Sequence, residues 1–211
     1  PGADMMLTKD ELNLEMIRHS RIFHFGSISM THEPARSATI HAVEYAKHNG
    51  LIISYDPNYR PSLWKNTDEA KRYIKTGMAY ADILKVSEEE LQLITGMGEI
   101  HAAAESLYSE YHIPLIIVTL GRNGCYYKRE DDKGYIPTYR AETIDTTGAG
   151  DGFLGALLYQ ILMSNKGINH FNASELESIL KFSNATGALM TMKRGAIPAI
   201  PTLEQVNDFM K

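Results

Sequence analysis

The run Asp145-Thr146-Thr147-Gly148-Ala149-Gly150-Asp151-Gly152-Phe153 has residue types that could do chemistry together. Small residues at 148–150 let the backbone fold its N–H groups around an anion. A helix starting there would add its positive end, where N–H groups lack intrahelical acceptors. Asp151 would sit in the first turn of that helix. An anion hole made by Gly148, Ala149 and Gly150 suits the charge that builds on a transferring phosphoryl group. A carboxylate beside it can take the proton of an attacking hydroxyl. A second reading needs no ligand: Gly-rich loops before helices are common, and an acid in a first turn favours the helix by itself.

Such a loop works only if regular elements hold it in place. Apolar runs with strand character alternate with segments of helical period. Strands are expected over Arg21–Gly26, Leu51–Tyr55, Ile83–Val86, Leu115–Leu120 and Cys125–Lys128, with Leu115–Leu120 central because it is the most apolar. A capping-box pattern at Thr8 and Glu11 predicts a helix carrying Leu12, Leu14, Met16 and Ile17. Further helices are expected from Pro34 to Gly50 (burying Ile40, Val43 and Ala46), Thr67 to about Tyr80, Ser87 to about Gly96, Glu99–His112, Asp151–Leu162, 172–192 and Thr202–Met210. Arg129–Gly134 reads as a hairpin tip, and the acids 130–132 as a solvated loop. This alternation predicts a parallel sheet with helices on both faces, within a single α/β domain over 1–211. Ligands in such sheets gather beyond the carboxyl ends of the strands. Asp56–Arg60, Ser87–Glu90 and Gly121–Gly124 occupy three such ends.

Bulk properties exclude several classes. The net charge of −5 argues against non-specific nucleic-acid binding or an anionic membrane surface. No apolar run approaches the length of a membrane span, and Pro1–Leu7 lacks the regions of a signal peptide. With one cysteine, Cys125, no internal disulfide and no cysteine-rich zinc site can form, and a reducing compartment, the cytoplasm, is expected. The eight histidines lack metal-ligand spacing. His24, on a predicted strand, is expected to be buried and satisfied; Trp64, Leu189, Met190 and Met192 read as packing residues.

Asp145–Leu158 resembles the C-terminal signature of the PfkB, or ribokinase-like, carbohydrate kinases. The resemblance implies a three-layer α/β/α sandwich with a mostly parallel central sheet. It implies ATP and Mg²⁺ as nucleotide and cofactor, and a small sugar as the acceptor. It also assigns roles. Asp151 would be the base, with 148–150 as the anion hole. Thr119, Gly121 and Gly124 lie in a stretch similar to the family's nucleotide-binding turn. Ser87 to Glu90 occupies the place of its Asn-x-x-Glu motif, which influences the magnesium–phosphate site; Ser87 and Glu90 equally form an ordinary capping box. Asn184 and Gly187 would border the adenine, or serve helix packing. Lys193–Pro198 resembles the loop that holds K⁺ in cation-dependent members, with Asp145 and Thr147 as candidate holders and Ala199 where ribokinases carry a Ser.

Phe23–Ser29, Ser54–Arg60, Lys85–Ser87 and Arg194–Pro201 are similar to fructokinases within that family. Asp56, Asn58 and Arg60 form an Asp-x-Asn-x-Arg pattern that 2-keto-3-deoxygluconate kinases share. Arg60 is the expected phosphate or substrate clamp, because a guanidinium makes planar bidentate contacts; the alternative is a surface ion pair. Asp56 could also cap the turn after it. Family members carry strands, a sugar-gripping Asp and Gly-Gly pair, and a lid ahead of the matched region. The chain is therefore expected to be the C-terminal, nucleotide-binding portion of a longer polypeptide, dimerising through that lid.

Overall fold

The computed structural model describes residues 2–130 and 132–211. Six strands form one mostly parallel sheet in the order β1-β2-β3-β4-β5-β6. They are β1 (Ile22–Gly26), β2 (Ile52–Asp56), β3 (Ile83–Ser87), β4 (Leu115–Thr119), β5 (Cys125–Lys128) and β6 (Lys133–Ile136). The pairs β1–β2 and β2–β3 are parallel, and β5–β6 is antiparallel. By its internal packing the chain divides into two compact units, 1–117 and 118–211.

The first unit carries α1 (Leu14–Arg18), α2 (Ala35–His48), α3 (Thr67–Met78), α4 (Glu88–Thr95) and α5 (Ile100–Tyr111). Their starts follow from side chains that take the orphan N–H groups of a first turn. Asn66 accepts from Glu69 N at 2.8 Å, and Glu99 accepts from the amides of His101 and Ala102. Gly96 closes α4 in the left-handed conformation. The strands β2 and β3 bury Ile53, Tyr55, Ile83, Leu84 and Val86, as expected of strands covered on both faces. The second unit carries α6 (Ala149–Ser164), α7 (Ala173–Thr191) and α8 (Leu203–Phe209). Reciprocal capping boxes start α7 (Asn172 with Glu175) and α8 (Thr202 with Gln205). Ala156, Phe182, Ala185 and Val206 make an apolar cluster between these helices.

Several expectations are corrected. Thr8 and Glu11 do form a capping box, but it starts one 3-10 turn over Lys9–Glu11, because Leu12 turns extended. The α1 helix begins afresh, capped by Asn13, whose side chain accepts from Met16 N at 2.9 Å. The inward face of α2 is built mainly from Ala38, Ala42, Val43 and Ala46, while Ile40 is only half-buried. His24 is exposed, since β1 is an edge of the sheet, and its ring nitrogen lies 3.1 Å from Ser54 Oγ. Leu189 and Met192 are half-buried, and only Met190 of those three is core. Trp64 is buried and stacks on Tyr73, as expected.

The hairpin tip is shorter than 129–134. The strand β6 already starts at Lys133, in register with Lys128. Its first three residues, Lys133, Gly134 and Tyr135, are charged, small or exposed, and only Ile136 is buried, so the run carries little strand signal. Nor is the acidic stretch simply solvated: Asp132 accepts from Arg129 and from the Tyr127 hydroxyl. Asp131, in that same stretch, and Pro1 lie outside the described residues.

Close packing of α3 on β2 depends on one missing methyl. A Cβ at Gly77 would collide with the Tyr55 ring and lie 2.7 Å from its hydroxyl oxygen. Tyr55 is fully buried and cannot yield. Overpacking costs about 1–3 kcal/mol, more than the roughly 1 kcal/mol that Gly→Ala contributes to helix propensity. Gly77→Ala should therefore lower the urea midpoint. Gly155→Ala, mid-helix with open space around it, should raise it.

Candidate active site

The second unit places the start of α6 against α7 and the 193–198 loop. Gly148 caps the helix at φ 76°, and Gly152 N donates to Gly148 O at 2.8 Å to close the first turn. The amides of Gly150 and Asp151 have no carbonyl one turn back in their own helix. A Cβ at Gly187 would lie 3.2 Å from Ala149 O, and one at Gly148 would lie 2.8 Å from Ala196 Cβ. Glycine at these positions lets α7 and the 193–198 loop approach the start of α6. Asp151 is exposed and makes no hydrogen bond or ion pair with any described residue.

A cavity of about 760 Å³ opens beside this helix start, within the range of small-molecule sites. Its wall contains Thr119, Gly121, Gly124, Ala149, Gly150, Asn184 and Gly187, seven of the residues singled out from the sequence. Gly148 and Asp151 line a smaller, more apolar cavity of about 470 Å³ with Met190, Ala196 and Ile197. The run 148–151 thus contributes to both. Asn184 lines the larger cavity, and its amide nitrogen donates to Ile136 O at 3.1 Å and Pro137 O at 3.3 Å. Arg122, Tyr139, Arg140 and Phe153 also line that cavity. Arg122 and Phe153 lie inside stretches that the sequence singles out, the 119–124 turn and the 145–153 run, without a role of their own; Tyr139 and Arg140 were missed, since neither loop arginines nor aromatics carry a spacing signal.

Asp145 and Thr147 line neither cavity. Asp145 fastens the loop instead. One oxygen accepts from Thr147 N at 2.9 Å and Thr147 Oγ1 at 2.6 Å, and the other accepts from Gly195 N at 2.9 Å. These donors, the Gly195 amide foremost, lower its pKa to about 2. Cys125, nearby and buried, has its thiol pushed up to about 12 by burial, which leaves it unreactive.

In the first unit, the carboxyl ends of β2 and β3 carry a buried polar cluster. Lys85 Nζ donates to Asp56 Oδ2 at 2.8 Å with both side chains almost fully covered. The other Asp56 oxygen accepts from Asn58 N at 3.0 Å, so Asp56 does cap the turn, and it is ion-paired as well. Glu90 accepts from Tyr59 N at 2.7 Å and Ser87 N at 2.8 Å, while the Ser87 side chain accepts from Glu90 N at 3.1 Å. Burial raises the Glu90 pKa, against the pull of those amides. The Ser87–Glu90 pair is therefore a capping box that also reaches the 56–60 loop. Arg60 is exposed; its guanidinium donates to Tyr59 O at 3.1 Å and forms no ion pair with a described residue. Lys85 was the missed residue here; a lysine inside the apolar run Ile83–Val86 was the available signal. Among the described residues no three His, Cys, Asp or Glu side chains converge on a metal-sized space.

Comparison with known proteins places these features. The family description "pfkB family carbohydrate kinase" matches residues 1–203. The chain is 46% identical, over a 213-residue alignment, to a protein named probable fructokinase-2 of Arabidopsis thaliana, covering 100% of this chain and 64% of that protein. It therefore spans just under two thirds of that relative's length. The fructokinase of Vibrio cholerae O395, solved with fructose, ADP and calcium ion, superposes with a TM-score of 0.91 at 31% identity, covering 100% of this chain and 67% of that one. The aminoimidazole riboside kinase of Salmonella enterica, solved with aminoimidazole riboside and an ATP analog, gives a TM-score of 0.85, also at 31% identity, covering 100% of this chain and 68% of that one.

The hydrogen bonds to Asp145 have a measurable consequence. Its folded pKa of about 2 lies below the roughly 3.9 of an unfolded Asp. The ionised side chain thus favours the folded state above that unfolded value, and the contribution is lost as pH falls through about 2. Carboxyl ¹³C titration should give a midpoint near that value, and Thr147→Ala, which removes one donor, should raise it.

Proposed function

This chain belongs to the pfkB family of carbohydrate kinases, and from that premise we propose that it is the phosphoryl-transfer part of an ATP-dependent fructokinase, converting D-fructose to fructose 6-phosphate. The observation that carries the reading is Asp151: an exposed carboxylate with no partner among the described residues, in the first turn of a helix whose start borders a cavity of nucleotide size.

In the proposed reaction the Asp151 carboxylate accepts the proton of the sugar hydroxyl, whose oxygen attacks the γ-phosphorus in line. The amides of the 148–151 run, other than that of Ala149, which donates to Thr146 O, stabilise charge on the transferring oxygens. Asp145 and Glu90, with their oxygens bonded to backbone amides, are poorly suited to be bases and hold loops in place. The larger cavity takes ATP, with Asn184 and Gly187 toward the base and Thr119, Gly121 and Gly124 along the nucleotide. Arg60 binds phosphate or substrate.

Glu90 and Ser87 are the residues we assign to influence a Mg²⁺–phosphate site; each Glu90 oxygen keeps a lone pair beyond its one amide donor. A bound Mg²⁺ supplies charge neutralisation between phosphate oxygens. A K⁺ site with Asp145 and Thr147 would rest on backbone carbonyls, since both Asp145 oxygens already take N–H or O–H donors. The proposal includes a cytoplasmic protein that dimerises through a lid ahead of the matched region. No described helix is long and apolar enough to cross a membrane.

A second acceptor class, nucleosides and sugar acids, is supported by the likeness to the aminoimidazole riboside kinase and by the Asp56, Asn58, Arg60 pattern. The test is sugar-dependent ADP formation with D-fructose, ribose, a nucleoside and 2-keto-3-deoxygluconate. Preference for fructose is expected; turnover confined to another acceptor would overturn the fructokinase assignment and leave the kinase. Asp151→Asn keeps the shape and removes the base, so kcat should fall about 10²–10⁴-fold. Near-normal turnover in that variant would remove Asp151 from the role.

A further inference from the structure

Nine arginines occur in the chain, and seven of them have visible employment. Arg18 pairs with Glu15, Arg129 with Asp132, and Arg36 bonds two carbonyls and the Tyr73 hydroxyl. Arg72 lies over the Tyr73 ring, Arg60 bonds a carbonyl, Arg194 acts on Asp145 and Arg21 has a partner of its own. Arg122 and Arg140 are the remaining two. Both are exposed, neither has a hydrogen bond, ion pair or ring contact with a described residue, and both line the 760 Å³ cavity. Among the described residues they are also its sole charged lining residues, and no acid lines that space.

This placement is unusual for the chain's charge balance. Acids outnumber bases by 26 to 21, so an idle guanidinium would ordinarily find a carboxylate. Two arginines from different loops, one after β4 and one after β6, instead lie idle around one cavity that is also lined by Gly150, whose amide has no carbonyl one turn back in its helix. Guanidinium groups and amides at a helix start both recognise oxyanions, the first by a planar fork and the second by directed N–H groups. A neutral nucleoside would use neither.

We propose that Arg122 and Arg140 are specificity-determining residues that bind the phosphate tail of the nucleotide, selecting di- and triphosphates over the nucleoside. The proposal rests on the reading of this cavity as the nucleotide site. It assigns to the two side chains a share of affinity that depends on ligand charge, separate from the neutral wall of Asn184, Gly187 and Phe153 that would contact the base and ribose.

The test compares binding of adenosine, AMP and ADP to the protein by calorimetry, for wild type, Arg122→Ala, Arg140→Ala and the double variant. Both side chains are exposed and unpartnered, so the variants should fold normally. Each single variant should bind ADP about three- to tenfold more weakly, the range of a charge-assisted hydrogen bond discounted for solvent exposure. Adenosine binding should be unchanged, AMP should fall between, and Arg→Lys should restore part of the loss. An equal loss for adenosine and ADP, or no loss for any ligand, would overturn the proposal and leave the nucleotide site standing. Failure of the wild type to bind either ligand would remove that reading, and the proposal with it.

Discussion

Backbone amides just past the end of a strand have lost their ladder partners, and each must find another acceptor or stay in water. In this chain carboxylates take that part at the ends of β2 and β3, and a further carboxylate does the same for loop amides of the second unit. Asp56 accepts from Asn58, Glu90 from Tyr59 and Ser87, and Asp145 from Thr147 and Gly195. Each bond fixes a loop at a carboxyl end of the sheet or at a helix start, where ligands of α/β folds gather. Asp151 is the acid of the central motif left outside this scheme. Its freedom has meaning because Asp145, six residues earlier in the same motif, is fully engaged.

The two electrostatic environments differ in kind. Asp145 is only partly covered, and its low pKa comes from direct donors, the Gly195 amide first. Glu90 is buried, and the desolvation that raises its pKa outweighs two amide bonds. Lys85 and Asp56 are buried together, which makes them a mutual requirement: removing either one would strand the other's charge in a dry site. Such a pair is poor evidence of net stability but firmly defines where the 56–60 loop leaves β2.

Small residues do for the second unit what carboxylates do for the first. Gly187 and Gly148 remove the bulk that would otherwise separate α7 and the 193–198 loop from the start of α6. Signature glycines are often explained by phosphate approach alone. Here Gly148 and Gly187 are also demanded by helix packing, so a family match at these positions reports fold and chemistry together.

Local signals in the sequence determined the elements and the motif. Caps at Asn66, Ser87, Glu99, Asn172 and Thr202 start helices close to where the side-chain chemistry requires, and the Asp145–Asp151 run announces its own loop and helix. These are legible because each depends on neighbours within a few residues. Tertiary structure alone decided the rest. It exposed His24, paired Lys85 with Asp56 across 29 residues, joined Tyr59 to Glu90, formed β6 from a run that looks like loop, and left Arg122 and Arg140 facing one cavity. The physical reason is common to all of these. Burial and the partner of a charge are properties of what packs against a residue from distant sequence, and spacing along the chain does not encode them.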